Sequence, residues 1–347
     1  MKSDVLVSKL FESTVGALEL DAIYLGDQLG YYRAMAGGQW FSAADLAART
    51  GTVQRYAEEW LSHQAVREIV EVEDERAASR RYRLPQEHVA VLADPDSATN
   101  VVAAATILAR YSRRLPEVVN AFRTGQGVAP PAWGPEGRAE PNRGVFLNLL
   151  GKQWLPAIAE IDGRLHRGAR IADIACGTGW SSIAMALAYP SVSVDGIDLD
   201  EEAIEEARDY ARERGVSERV RFKAGDAATL SGQRYDVVTI IQALHDMSNP
   251  VEVLRAVRQS VADDGFVLVV DSRVEEEFSV PGTAQEQFDY GMSLLACLPN
   301  AMGPESAGTG MVMRPGTVRR YAAEAGFGGV QLLPIDFPSW NFYRLTV

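Results

Sequence analysis

The segment RIADIACGTGWSS at residues 170–182 constrains the fold most, because a short apolar strand leads directly into a glycine-rich turn that opens a helix. The strand places Asp173 near its end, and the turn contains Gly177 and Gly179. Glycine carries no Cβ, so the backbone of this turn can approach a ligand closely. The segment predicts an α/β unit with a nucleotide-cofactor site, although a glycine pair alone is also typical of an ordinary tight turn.

Four more apolar segments follow, at the spacing of strands that alternate with helices. They are VSVDGID, which ends at Asp198, RVRFKAGDA, which ends with Asp226 and Ala227, YDVVTII and GFVLVVD. The helix before the last strand begins at Asn249, with Pro250 in its first turn. A carboxylate at the position of Asp198 can accept hydrogen bonds from both hydroxyls of a ribose. The pattern predicts an open parallel sheet with a ligand site at its carboxyl edge.

These motifs resemble those of class I S-adenosylmethionine-dependent methyltransferases over about residues 145–347. DIACGTG resembles the family's first motif, with Ala175 where a glycine is usual. The resemblance implies an α/β, Rossmann-like, seven-stranded catalytic domain at 161–347 that binds S-adenosyl-L-methionine and releases S-adenosylhomocysteine. A dinucleotide dehydrogenase is the rival, but its G-x-G-x-x-G fingerprint needs a glycine where Ser182 stands.

The resemblance also assigns the cofactor site. Asp198 matches the ribose-binding acid, and Asp226 with Ala227 matches the pair that recognises the adenine ring through its exocyclic amine and a ring nitrogen. We expect the cofactor-binding residues to be Asp173, Ala175, Gly177, Gly179, Asp198, Leu199, Asp226, Ala227 and Gln242.

Residues 1–95 carry a different, mainly helical pattern. A first helix is predicted from about Leu20 to Met35, a second begins at the Ser42 cap and ends at Gly51, and TVQRYAEEWLSHQ forms a third. The following VREIVEVEDERAASRRYRL predicts two strands around a charged tip. Three helices and a hairpin form the winged-helix pattern, and 347 residues are enough for two such domains.

Charge argues against nucleic acid as a partner. The formal net charge of −13 repels phosphates, and the third helix sets Arg55 against Glu58 and Glu59 where a DNA reader needs a basic surface. A cofactor-binding winged-helix transcriptional regulator remains the alternative from another class, and salt-dependent duplex binding would distinguish it.

The layout resembles small-molecule, natural-product methyltransferases whose N-terminal winged helix mediates dimerisation and covers the acceptor pocket. That resemblance implies a homodimer through residues 1–95. The apolar positions of the first helix, Leu18, Leu20, Ile23, Leu25 and Leu29, would then be partly buried against a partner chain, or else form an intramolecular core.

Residues 96–160 predict a helical linker region with a loop at 123–144 that is rich in proline and glycine and contains Trp133. The loop is interpreted either as a lid or as a plain linker. The flanking segments at 98–122 and 146–161 are each predicted as one helix.

His245 is the candidate catalytic base. It follows the fourth strand, where open α/β sheets bind ligands, and a neutral imidazole is expected near physiological pH. LHDM also resembles the LHDW segment of winged-helix O-methyltransferases, which implies a base at His245 and a supporting Asp246. O-methylation of a small aromatic or heteroaromatic metabolite is therefore favoured. Proximity-driven C- or N-methylation of an indole-like acceptor is the alternative, with His245 only packing beside the cofactor.

Residues that contact the acceptor are expected from three places. The insertion after the fifth strand, at 272–313, predicts a helix near 283–298 that presents Phe288, Tyr290 and Met292. Tyr24, Asp27 and Tyr31 come from the first helix, and Arg143 precedes the second linker helix. Core packing, capping or solvent contact would explain the same residues without an acceptor.

Composition limits the remaining classes. Cys176 and Cys297 are too few for a disulfide framework and lack metal-ligand spacing, so no metal is expected. Charged residues interrupt the N-terminal segment, which predicts neither a signal peptide nor a membrane span. The expected location is the cytoplasm.

Overall fold

The computed structural model describes residues 3–77, 79–130, 138–230 and 233–347. The described residues form two compact units, one of 3–113 with 138–145, the other of 114–130 with 146–347. The predicted linker region 96–160 is divided between these units. Trp133 lies outside the described residues.

The first unit contains a small antiparallel sheet surrounded by helices. The sheet has the order β1-β3-β2. The strands are β1 (Phe41–Ser42), β2 (Glu71–Val72) and β3 (Arg81–Arg83); the helices are α1 (Ser3–Gln28), α2 (Tyr31–Met35), α3 (Ala43–Thr50), α4 (Gln54–Val66), α5 (Gln86–Leu92), α6 (Val102–Ser112) and α8 (Arg143–Val145).

Local sequence explains the helix boundaries in this unit. Ser42 and Asp45 form a capping box, in which the Asp45 amide donates to Ser42 Oγ at 3.2 Å and the Ser42 amide donates to Asp45 Oδ2 at 2.9 Å. Gly51 ends α3 in the left-handed conformation, so both predicted ends are confirmed. The single helix predicted from Leu20 to Met35 is wrong, because Gly30 adopts φ 70° and separates α1 from α2.

The second unit carries twelve helices or helical turns around its strands, within the described residues. The helical elements are α7 (Leu115–Thr124), the π-helix Phe146–Trp154, α9 (Ala159–His166), α10 (Trp180–Ala188), α11 (Glu201–Glu213), the 3₁₀ turns Ala227–Thr229 and Leu244–Asp246, α12 (Pro250–Ser260), α13 (Ala284–Met292) continued by the π-turn Ser293–Cys297 and α14 (Leu298–Ala301), and α15 (Pro315–Glu324).

The strands of this unit are β4 (Arg170–Ile174), β5 (Ser193–Asp198), β6 (Val220–Ala224), β7 (Tyr235–Ile241), β8 (Val261–Ser272), β9 (Gly329–Leu332) and β10 (Trp340–Thr346). They form one sheet with the order β6-β5-β4-β7-β8-β10-β9. The first five in this order are parallel, and β10 is antiparallel to both neighbours. The predicted Rossmann-like seven-stranded fold is confirmed.

Strand order reverses between β4 and β7, because β5 and β6 lie on one side of β4 while β7 and β8 lie on the other. Such a switch point opens a crevice beyond the carboxyl ends of the strands, where α/β folds bind ligands. The residues that follow these two strands are therefore the first place to examine for a site.

The predicted helix at 98–122 is wrong as a single element, because α6 ends at Ser112 and α7 begins at Leu115. Pro116 lies in the first turn of α7, and proline starts a helix more readily than it continues one. Among the described residues, no helix is both long and apolar enough to cross a membrane.

Candidate functional site

The turn after β4 is held in the left-handed conformation at three positions. Ala175, Gly177 and Gly179 have φ values of 54°, 53° and 78°. A Cβ on Gly177 would meet no heavy atom within 4 Å, whereas a Cβ on Gly179 would lie 2.4 Å from the Phe222 ring. Gly177 therefore borders open space, and Gly179 is required by packing.

Asp198 lies at the end of β5 and faces this turn. Its Oδ2 accepts a hydrogen bond from the Gly177 amide at 2.7 Å, and its Oδ1 accepts from the Asp200 amide at 2.9 Å. A carboxylate oxygen has two acceptor positions, so each oxygen can accept one more hydrogen bond. The two carboxylate oxygens of Asp198 could therefore accept one hydrogen bond each from two vicinal hydroxyl groups. Leu199, the next residue, is 74% exposed.

Asp226 and Ala227 follow β6, the outer strand on the same side of the sheet. Asp226 is exposed, and its Oδ1 accepts from the Ala228 amide at 2.8 Å, which caps the 3₁₀ turn that Ala227 begins. Ala227 is buried. The predicted adenine-binding pair is thus held in a fixed turn at the expected edge.

Asp173 is completely buried and bonded by hydroxyls. Its Oδ2 accepts from Ser181 Oγ at 2.5 Å and from Ser182 Oγ at 2.7 Å, and its Oδ1 accepts from Thr239 Oγ1 at 2.7 Å. Burial raises the pKa of Asp173, and these three hydrogen bonds oppose the rise. The carboxyl group links β4, β7 and α10 beneath the turn. Direct contact with a cofactor stays a prediction for this residue.

Gln242 ends β7 in the same way that Ala175 ends β4. Its φ is 56°, and its amide donates to the Val270 carbonyl at 2.8 Å. The side-chain Nε2 is buried without a hydrogen-bond partner among the described residues. Non-glycine residues in the left-handed region are uncommon and concentrate at ligand sites. Ala175 and Gln242 are two such residues at the ends of neighbouring strands, and Gln242 Nε2 is a donor without a partner among the described residues. This arrangement fits a nucleoside cofactor that carries polar groups.

His245 lies in the 3₁₀ turn after β7, with 2% of its surface exposed. Its Nδ1 lies 2.7 Å from Asp271 Oδ1. Because a carboxylate only accepts hydrogen bonds, Nδ1 carries a proton and donates a hydrogen bond to Asp271. Asp271 is fully buried at the end of β8 and also accepts from the Ser272 amide at 2.8 Å. His245 Nε2 lies 3.4 Å from Asp246 Oδ2. The ring is therefore fixed, with Nε2 directed away from Asp271.

The pKa of His245 reflects opposing effects. Burial lowers it, but the carboxylates of Asp271 and Asp246 raise it more, and the net pKa lies well above the usual value. The structure thus favours the imidazolium form, where the sequence suggested a neutral ring near physiological pH. A base of this kind becomes available as the pH rises.

Cys297 is a site residue that the sequence did not single out. Its thiol is buried, hydrogen-bonds to His245, and has its pKa raised to about 11, mainly by burial. Ligand atoms of His245, Asp246 and Cys297 all lie within 4.8 Å of one another. These three side chains could hold a metal ion, so the absence of a metal from this site, expected from the sequence, stays a prediction.

The insertion helix α13 buries two acidic side chains and leaves its aromatic side chains more exposed. Glu286 and Asp289 are buried, whereas Phe288 and Tyr290 are 53% and 40% exposed. Met292 is half-buried. The acceptor roles of these three nonpolar or amphipathic residues stay predictions.

The acceptor residues predicted in the first unit all have structural partners there. Tyr31 is buried, donates from Oη to Thr52 Oγ1 at 2.9 Å and contacts the Trp60 ring edge to face. Tyr24 packs against the same core. Asp27 pairs with Arg33, and Arg143 pairs with Asp96 at 2.7 Å. Their contact with an acceptor stays a prediction.

The residues missed by sequence reasoning are Asp271, Asp289 and Cys297. Asp271 had a usable signal, because an acid at the end of an apolar strand, GFVLVVD, repeats the pattern of Asp173 and Asp198. Asp289 and Cys297 come from the insertion, and only the tertiary structure buries Asp289 and brings Cys297 to His245.

Two family models match the chain. Residues 165–325 match a methyltransferase domain, and residues 17–94 match a Rv2258c-like winged helix-turn-helix domain. The chain therefore contains a methyltransferase domain preceded by a winged-helix domain. The winged-helix and methyltransferase domains predicted from the sequence are thus matched in the predicted order.

Curated relatives match through part of their length. A ubiquinone biosynthesis O-methyltransferase from Bordetella avium is 36% identical over 138 residues, which are 39% of this chain and 53% of that protein. The chain thus spans about half the length of the curated relatives it matches.

Solved structures share the fold over nearly the whole chain. Human N-acetylserotonin methyltransferase, in complex with S-adenosylmethionine, is 18% identical with a TM-score of 0.72, covering 100% of this chain and 99% of that one. The N,N-8-amino-8-demethyl-D-riboflavin dimethyltransferase of Streptomyces davawensis is 18% identical with a TM-score of 0.60, covering 98% and 99%.

Proposed function

We propose that this protein transfers the methyl group of S-adenosylmethionine to a hydroxyl group of a small aromatic or heteroaromatic metabolite. The observation that carries the proposal is the buried pair of His245 and Asp271, with Nδ1 and Oδ1 2.7 Å apart at the carboxyl edge of the sheet. Similarity to methyltransferases that act on small molecules supports the acceptor class.

The residues around the β4 turn would hold the cofactor. Asp198 would accept from the ribose hydroxyls, Asp226 and Ala227 would contact the adenine ring, and Gln242 Nε2 would donate to a polar group of the cofactor. Leu199 is exposed where it can cover the adenine. Bound in this way, the cofactor supplies an electrophilic methyl group for in-line transfer.

The chain's own contribution to chemistry is proton removal. Asp271 keeps the Nδ1 proton in place, so His245 can accept a proton only at Nε2. A general base of this kind contributes about 10²- to 10⁴-fold to the rate. Asp246, 3.4 Å from Nε2, would stabilise the imidazolium that forms.

The test is transfer of labelled methyl from S-adenosylmethionine into a bacterial lysate, followed by separation into small-molecule, protein and nucleic-acid fractions. Label in the small-molecule fraction supports the proposal and provides a product for mass spectrometry. Label confined to protein or nucleic acid contradicts it. His245→Ala serves as the comparison on the same product.

A second candidate is proximity-driven methylation of nitrogen or carbon on an indole-like acceptor. The raised pKa of His245 favours it, since an imidazolium is no base and a nucleophilic ring needs none before attack. Near-normal turnover of His245→Ala would support this alternative. The alternative of a DNA-binding transcriptional regulator is disfavoured by α4, the third helix of the predicted winged-helix domain. Arg55 on this helix pairs with Glu59 at 2.5 Å, so its charge is neutralised.

We also propose a homodimer through the N-terminal unit. An apolar groove of about 520 Å³ lies on this unit and is lined by Leu25, Leu29, Val53, Tyr56 and Trp60, among others. The same helix α1 exposes further large apolar side chains, including Val5, Leu6, Val7, Leu10, Phe11 and Leu18. Contiguous exposed apolar surface of this kind is typical of interfaces. Light scattering of the purified chain tests the dimer.

A cytoplasmic location is a separate proposal, and cell fractionation tests it.

A further inference from the structure

The thiol of Cys297 has no part in the proposed proton transfer. It is buried at the end of the π-turn Ser293–Cys297, and its Sγ lies within 4.8 Å of ligand atoms of both His245 and Asp246. Segments of π-helix within a longer helix frequently occur at functional sites. A thiol, an imidazole nitrogen and a carboxylate oxygen at one point are a donor set that suits zinc.

The orientation of His245 fits that of a metal ligand. Its Nδ1 donates to Asp271 Oδ1 at 2.7 Å, which leaves Nε2 as the ring nitrogen that can bind an ion. Histidines that bind metals almost always donate their other N–H to a carboxylate, a carbonyl or water, which fixes the tautomer and the ring. Asp271 is fully buried and supplies this outer hydrogen bond.

The distances suit a tetrahedral ion. A nitrogen and an oxygen that each lie about 2.1 Å from tetrahedral zinc are about 3.4 Å apart. His245 Nε2 and Asp246 Oδ2 are 3.4 Å apart. A thiolate about 2.3 Å from the ion would lie about 3.6 Å from each of these atoms, so Cys297 Sγ has to move by no more than about 1.2 Å.

An ion can reach this position from solvent. The Asp246 side chain is 46% exposed, whereas that of His245 is 3% exposed. The ion would therefore enter beside Asp246 and meet the two buried ligands behind it. Three protein ligands leave the fourth position of a tetrahedral ion for a water molecule.

We propose that His245 Nε2, Cys297 Sγ and a carboxylate oxygen of Asp246 form a binding site for Zn²⁺. Binding displaces the proton of the Cys297 thiol, and that of His245 Nε2 where this nitrogen is protonated, to solvent. The ion then occupies the position at which Nε2 would accept the acceptor's proton, so zinc inhibits methyl transfer, which itself needs no metal. The inhibition rests on the proposed function, whereas zinc binding does not.

The test of binding is a titration of the untagged, chelator-treated enzyme with Co²⁺, which occupies zinc sites and, unlike Zn²⁺, absorbs light. We expect one Co²⁺ per chain, a thiolate-to-cobalt absorption band, and loss of this band when Zn²⁺ is added. The chain has two cysteines, which gives a matched control. Cys297→Ser should abolish the band, and Cys176→Ser should keep it. Absence of the band in the unmodified enzyme, or its persistence in Cys297→Ser, overturns the proposal.

A second variant keeps the test open if Cys297→Ser does not fold. Asp246→Ala changes an exposed side chain and removes one ligand, so the affinity for Zn²⁺, measured by competition with a chromophoric chelator, should fall at least about tenfold. Asp336→Ala is the control, since that acid is 98% exposed and distant in sequence from the three ligands. Equal zinc affinities in these two variants overturn the proposal.

Activity separates this proposal from the proposed function. If both hold, Zn²⁺ at the concentration that displaces Co²⁺ lowers methyl transfer at least about tenfold, and a chelator restores it. If Zn²⁺ binds as expected but turnover is unchanged, the base role of His245 fails and the metal site stands. If His245→Ala lowers kcat as expected but the unmodified enzyme forms no cobalt band, the metal site fails and the proposed function stands.

Discussion

The two glycines of the β4 turn, Gly177 and Gly179, should respond differently to substitution by alanine. Both have positive φ, so alanine is strained at either position. Only at Gly179 would the new Cβ collide with the protein, at 2.4 Å and 2.5 Å from two atoms of Phe222 and 3.0 Å from Ala207 Cβ. At Gly177 the new methyl group would enter the open side of the turn.

The magnitudes follow from these contacts. The left-handed conformation costs about 1 kcal/mol for alanine. At Gly179, forcing the Phe222 ring aside adds about 1–3 kcal/mol of overpacking. We therefore expect Gly179→Ala to lower the free energy of unfolding by about 2–4 kcal/mol and Gly177→Ala by only about 1 kcal/mol.

Ligand binding should show the reverse order. Gly177→Ala should weaken binding of S-adenosylhomocysteine at least about tenfold, because one lost close contact of about 1.4 kcal/mol corresponds to that factor. Urea unfolding and isothermal titration calorimetry measure the two effects on the same protein samples. Phe222→Leu combined with Gly179→Ala should recover part of the stability.

Two results would refute this reasoning. An unchanged affinity in Gly177→Ala would show that the open side of the turn does not contact the cofactor. A stability loss at Gly179 no larger than that at Gly177 would show that Phe222 yields without cost, so packing does not require the glycine.

Five further outcomes are expected. Asp198→Ala should reduce S-adenosylhomocysteine affinity by about 10²-fold or more, since two charge-assisted hydrogen bonds are lost. Scanning fluorimetry should show a folded protein with a lowered melting temperature, because the Gly177 and Asp200 amides lose their acceptor. His245→Ala should lower kcat by about 10²- to 10⁴-fold and leave cofactor affinity unchanged by calorimetry. In the unmodified enzyme, kcat/KM should rise with pH above about 6.5, because the raised pKa keeps His245 protonated below that range; a profile flat from pH 6 to 9 would contradict this. Ala175→Gly should raise the unfolding free energy in urea by about 0.5–1 kcal/mol by relieving φ 54°. Dialysis against a chelator should leave methyl transfer unchanged, and loss of activity restored by zinc would instead make a metal at His245, Asp246 and Cys297 part of the reaction.

The elements of the sheet could be predicted because each carries its own signal. The run RIADI has apolar residues at Ile171, Ala172 and Ile174, is five residues long and is followed three residues later by Gly177, and β4 occupies those residues. Capping residues likewise predicted both ends of α3, which begins after Ser42 and ends before Gly51. The break at Gly30 was missed because an isolated glycine within a helical pattern can be tolerated without ending the helix.

The residues expected to hold the cofactor could be placed near one another for the same reason, whereas the partners of His245 were not identified; contact with the cofactor stays a prediction. Asp198 and Gly177 are close in sequence and joined by neighbouring strands, so strand order brings them together. Asp271 reaches His245 because β8 pairs with β7. The acid at the end of GFVLVVD was a local signal for Asp271, but no local pattern shows that α13 turns its acidic face inward and buries Asp289.

Buried acids in this unit differ in how completely they are bonded, and that difference separates structural from functional carboxyl groups. Asp173 is bonded by three hydroxyls, which compensate for its burial and fix the turn. Asp271 accepts hydrogen bonds from the His245 ring and from the amides of Ser272 and His245, so it can respond to a change of charge on the ring. Asp289 has one neutral donor and one unbonded oxygen, so its protonation state is the least fixed of the three. Asp173 and Asp271 each have three donors and Asp289 has one, so hydrogen bonding compensates least for the burial of the acid in the insertion.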